Sequence, residues 1–102
     1  MKRSKKFRVV LEERVPEDFL EALSFYNNIS IALGTNFNSK FEYAIFKLSI
    51  GPYNYYNLTK KLRRITLGKF PYLLVYKIDG NIVTIIGLFH QASNKKKWRR
   101  KK

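Results

Sequence analysis

Lys61-Leu62-Arg63-Arg64-Ile65-Thr66-Leu67-Gly68-Lys69-Phe70-Pro71-Tyr72-Leu73-Leu74-Val75-Tyr76-Lys77-Ile78-Asp79-Gly80-Asn81-Ile82-Val83-Thr84-Ile85-Ile86-Gly87-Leu88-Phe89-His90 is the stretch that decides the fold. It divides into three runs rich in β-branched and aromatic residues, Lys61 to Leu67, Tyr72 to Ile78 and Ile82 to His90, each the length of a strand. Asp79-Gly80-Asn81 separates the last two, and Gly and Asn tolerate the positive φ that a tight hairpin requires. The three runs therefore read as an antiparallel meander.

Upstream, Phe7 to Glu13 is another short β-forming run, flanked by Arg8, Glu12 and Glu13, which suits an edge position. Pro16 fits the first turn of a helix, with Glu17, Asp18 and Glu21 where the positive end of the helix dipole favours acids. Phe19, Leu23, Tyr26, Ile29 or Ser30, and Leu33 form one apolar stripe, which predicts a helix ending at Gly34. After Thr35-Asn36 the same period resumes at Phe37, Phe41, Ala44 or Ile45, and Leu48, until Gly51-Pro52 stops it. Two aromatic stripes joined by a tight turn must cover each other or a sheet. The expected fold class is α+β: an N-terminal strand, a two-helix antiparallel hairpin, and an antiparallel sheet completed by the C-terminal three-stranded meander. At 102 residues the chain has room for one domain. The tail from Asn94 to Lys102 is too charged to bury, with Trp98 as its one aromatic anchor.

Charge is the strongest signal in the composition. The formal net charge is +14 and the isoelectric point about 10.2. It is unevenly spread, because residues 60–102 hold thirteen Lys and Arg against Asp79 alone. Such an excess points to an anionic partner, nucleic acid first, since Lys and Arg contacts to phosphate release condensed counterions. A solvated tail is the plainer alternative, and the basic runs lack the apolar stripe of a membrane-surface helix. There is no cysteine and only one histidine, so disulfides and a structural zinc site are not expected, nor is any other metal or cofactor. The apolar run after the basic start is only Val9-Val10-Leu11, and Ile82 to Phe89 is too short to span a bilayer. A soluble, cytoplasmic protein without a secretory segment is expected.

The order strand, helical hairpin, meander and basic tail resembles the RelE/ParE superfamily of bacterial toxins, known also as plasmid stabilisation proteins. Leu62-Arg63-Arg64-Ile65, then Phe70-Pro71-Tyr72 and Tyr76, are similar to that family's strand pair. His90 and Trp98 match the His and Trp of its ending, while Ser93 and Lys95 stand where arginine and proline are usual. The resemblance implies the toxin of a type II toxin-antitoxin system, partnered by a cognate antitoxin. A disordered acidic, amphipathic segment of that partner would suit the hairpin or the sheet. The family divides by target: some members cleave messenger RNA on the ribosome, and others bind and poison DNA gyrase without nuclease chemistry.

Metal-free RNA cleavage needs a base, cations on the phosphate in flight and an acid for the leaving oxygen. The candidate set is His90 as acid with Arg64 and Lys61 on the phosphate, since guanidinium offers a planar fork and imidazole titrates near neutrality. Lys60, Arg63, Lys95, Lys96, Lys97, Trp98, Arg99 and Arg100 are the candidate nucleic-acid contacts. A carboxylate base is scarce, because no Asp or Glu lies between Tyr43 and Ile78. Structural roles compete at every position. His90 would cap its strand or hydrogen-bond to the tail, and Arg63 or Arg64 would be a solvated strand face or bridge to Glu42. Tyr72 and Tyr76 would be core aromatics with wet hydroxyls, and Tyr53, Tyr55 and Tyr56, which could stack bases, would more simply pack on the second helix. The expected function is a ribosome-dependent endoribonuclease toxin. The alternatives are a non-enzymatic gyrase inhibitor acting through the hairpin and tail, and a non-toxic basic RNA-binding protein.

Overall fold

A computed structural model describes residues 6–92. The elements run β1 (Arg8–Leu11), α1 (Arg14–Ile29), α2 (Ile31–Ile50), a 3-10 turn (Pro52–Asn54), β2 (Tyr56–Asn57), β3 (Arg63–Leu67), β4 (Phe70–Asp79) and β5 (Ile82–His90). The five strands form one sheet in the order β1-β5-β4-β3-β2. The meander is present, with Gly80 at φ 58° in the β4–β5 turn. The first strand takes an edge as expected, but it runs parallel to β5, so the sheet is mixed. The two-residue β2 was not foreseen, and it covers only Arg63 and Arg64 of the opposite edge.

The helical hairpin breaks elsewhere than the apolar stripe suggests. Ser30 stands alone between the helices in extended conformation, φ −164° and ψ 151°. Its N–H donates to the Tyr26 carbonyl at 3.0 Å and closes α1, while its Oγ accepts from the Leu33 N–H at 3.0 Å and opens α2. One residue thus serves as both caps, and the expected turn at Gly34-Thr35-Asn36 is helical. Gly34 is needed for a different reason: it is buried where α2 crosses α1, and a Cβ there would collide with the Asn27 side chain and lie 3.2 Å from the Asn27 Cα.

Both helices lie on one face of the sheet. Phe19 stacks on Phe41 at 4.2 Å between ring centres, and Tyr26 and Phe37 meet Phe70 edge-on at 4.9 and 5.2 Å. Every second residue of β4 from Phe70 to Ile78 joins this core. The opposite face holds a smaller apolar cluster of Leu58, Leu62, Leu73, Val75, Ile86 and Phe89. One irregularity makes both faces possible. Val75 pairs with Gly87 but Tyr76 pairs with Ile85, so Ile86 is an extra residue in β5. Because of it, Val83, Ile85 and Leu88 all reach the helix-covered core, while Ile86 and Phe89 reach the other side.

Candidate functional site

His90 ends β5 opposite Tyr72, whose ring belongs to the helix-side core, and the two rings meet edge-on at 5.0 Å. Its Nδ1 accepts from the Ala92 N–H at 2.9 Å, a strand-capping arrangement. Around it lie Arg14, Asp18, Glu21 and Phe25 of α1, which share one shallow pocket with Tyr72 and His90. Burial first, then Tyr26 and the Glu21 carboxylate, hold the Tyr72 hydroxyl above the ordinary tyrosine range.

Arg64 and Lys61 lie on the other side of the sheet. Arg64 pairs with Val75, a member of the outer cluster, and its guanidinium sits 4.6 Å from the centre of the Tyr56 ring. Lys60 and Lys61 line an open groove of about 580 Å³ with Thr59, Leu62, Lys77, Ile86 and Glu12. Lys77 is five residues along β4 from Tyr72, about 17 Å at the rise of an extended strand. The structure therefore does not bring the proposed acid and the proposed phosphate ligands into one cleft: they face opposite sides of the sheet, and even Arg64, opposite Val75, is offset by three residues of β4 from Tyr72, about 10 Å.

Arg63 has a structural post. Its Nη1 donates to the Tyr55 carbonyl at 2.9 Å and to the Tyr53 carbonyl at 3.2 Å, pinning the segment between α2 and β3. A bridge from Arg63 or Arg64 to Glu42 is not formed, because the ion pair among the described residues is Arg14 with Asp18 at 3.6 Å. Tyr76 is fully buried and its hydroxyl donates to the Pro52 carbonyl at 2.7 Å, so it is dry where a wet one was expected. Tyr55 packs against the core, whereas Tyr53 and Tyr56 stay exposed. Lys95, Lys96, Lys97, Trp98, Arg99 and Arg100 lie outside the described residues.

Sequence reasoning passed over the apolar tip of the hairpin. Phe25 and Ile29 are each 59% exposed and Ile31 is 81% exposed, flanking the Ser30 break. The signal was present in the sequence, since Phe25 and Ile31 are apolar residues that fall off the stripe of Phe19, Leu23, Tyr26 and Leu33, and Ile29 stood in it only as an alternative to Ser30. Among the described residues no group of His, Cys, Asp and Glu has the geometry to hold a metal ion, and no helix is long and apolar enough to cross a membrane.

A two-helix hairpin laid on one face of a five-stranded mixed sheet is the architecture of the RelE/ParE toxins. A solved structure described as the chromosomal ParDE TA system from P. aeruginosa superposes with a TM-score of 0.71, covering 85% of this chain and 98% of that one at 12% identity. Within that class, residues 9–95 match the family described as ParE toxin of type II toxin-antitoxin system, parDE, and the chain belongs to that family. Its partner is accordingly a cognate antitoxin. No curated protein matches the sequence.

Proposed function

We propose that the chain arrests growth by binding DNA gyrase without cutting RNA. The observation that carries this reading is the separation of His90 from Lys61 and Arg64 by the thickness of the sheet. Transfer of a proton to the leaving oxygen requires the acid within about 3 Å of an atom whose phosphate the cations hold. Membership of the ParE toxin family supports the same choice. The exposed Phe25, Ile29 and Ile31 supply the contact surface, because a protein target can bury apolar side chains that water does not stabilise.

The test is direct. Purified protein is expected to inhibit supercoiling by gyrase, and primer extension on total RNA after brief induction is expected to show no new 5′ ends. His90→Ala and Arg64→Ala are expected to keep full toxicity. Transcript cleavage that disappears with either substitution would restore the endoribonuclease reading in place of this one.

A further inference from the structure

We propose that the sheet face turned away from the helices carries a binding site for an unpaired nucleic-acid strand, which it holds and does not cleave. The site is the groove between the β2–β3 turn and β4. Exposed Lys60, Lys61 and Lys77 stand around it, over a floor of buried Leu62 and Ile86. Glu12 is the one carboxylate in the lining. Among the described residues none of the three lysines has a carboxylate within ion-pair reach, since Arg14 and Asp18 form the ion pair there. Like charges around a concave apolar floor raise the local potential and concentrate anions.

The geometry points to a phosphodiester chain with its bases free. The Thr59 Oγ accepts from the Lys61 and Leu62 N–H groups at 3.1 and 3.0 Å, which fixes the turn and leaves the hydroxyl proton available to an incoming oxygen. Arg64 extends the cationic row along the same face, with its guanidinium over the exposed Tyr56 ring. An aromatic ring backed by a cation is a stacking surface for a base, and an apolar floor rewards a base that has left its duplex. Paired bases would use neither feature. An acidic peptide would satisfy the lysines but leave the Tyr56 ring without a stacking partner.

The site is independent of gyrase as the target, so its failure and that of the gyrase reading are separately visible. Fluorescence anisotropy of the full-length protein would use labelled oligo-dT and oligo-rU of about twelve nucleotides, a duplex of the same length and a poly-glutamate peptide, the length being set by typical single-strand site sizes. Because so cationic a chain attracts any polyanion, the decisive comparison is between two triple variants that remove equal charge. K60Q/K61Q/K77Q is expected to weaken single-strand binding by about tenfold or more and to reduce the slope of log K against log salt by about two. K40Q/K47Q/K69Q is expected to have less than about a third of that effect. Tyr56→Ala is expected to weaken binding several-fold with an unchanged salt slope. Preference for oligo-dT assigns the site to DNA and preference for oligo-rU to RNA, and either outcome supports the proposal. Equal losses in the two triple variants, duplex binding as tight as single-strand binding, or tighter capture of poly-glutamate would each overturn it.

Discussion

Tyr76 shows what one side chain contributes here. Its ring lies at the centre of β4 and its hydroxyl reaches across to Pro52, at the end of α2, so that a single hydrogen bond ties the hairpin to the sheet. Tyr76→Phe leaves the buried Pro52 carbonyl without its donor and is expected to cost about 1–3 kcal/mol, read by chemical denaturation. Burial, partly offset by Arg63, raises the Tyr76 hydroxyl well above its ordinary range. An unfolded tyrosine ionises near pH 10. The folded state thus keeps its proton longer than the unfolded one, and stability is full below about pH 10 and is lost as the pH rises beyond it. The melting temperature of the wild type should fall steeply above that pH. Tyr76→Phe should fall less steeply, the remainder coming from Tyr26 and Tyr72, which burial also raises. The core role of Tyr76 was legible in the alternation along β4. Its partner was not, since 24 residues separate it from Pro52 and nothing local marks the pairing.

The helical hairpin and the sheet differ in how openly the sequence announces them. Strand β5 was legible to the residue and β4 from Tyr72 to Ile78, two residues short at its start and one at its end, because Asp79-Gly80-Asn81 is a turn on backbone grounds alone, whatever the surroundings. The break at Ser30 was hidden by continuity: Tyr26, Ser30, Leu33 and Phe37 keep a helical period across it, so periodicity cannot reveal where hydrogen bonding stops. Gly34 was read as a stop signal, although its use is close approach of two helices. Gly34→Ala gains about 1 kcal/mol of helix propensity but forces Asn27 aside, and overpacking of this kind costs about 1–3 kcal/mol. The expected outcome is net destabilisation in urea. A second change, Asn27→Ala, should return part of it, and a double-mutant cycle measures the coupling. Ser30→Ala removes the cap on the Leu33 N–H and should cost about 1 kcal/mol.

Taken whole, the molecule segregates its chemistry. Glu12, Glu13, Glu17, Asp18 and Glu21, five of its seven acids, fall within ten residues at the start of α1, whereas the β2–β3 turn and the outer sheet face are cationic. The hairpin tip adds an apolar zone apart from that cationic groove. Phe25→Ser with Ile29→Ser is expected to reduce gyrase inhibition by about tenfold or more, the loss typical of central contact residues, without changing the circular dichroism spectrum. Groove substitutions should leave supercoiling inhibition in the absence of single strands intact. The candidate acid and phosphate ligands were chosen by residue type alone, and their placement on opposite faces followed from the added residue at Ile86, which alternation counted along the sequence does not show. That residue has a genetic consequence. Removing the Ile86 codon alone would close the bulge into a regular ladder, since Ile85 and Gly87 already face Tyr76 and Val75, and Leu88, Phe89 and His90 would keep Leu74, Leu73 and Tyr72 as partners. The outer layer would lose one side chain and the strand its bend while both faces kept their sidedness, a change of backbone that no exchange of one amino acid for another at that position could produce.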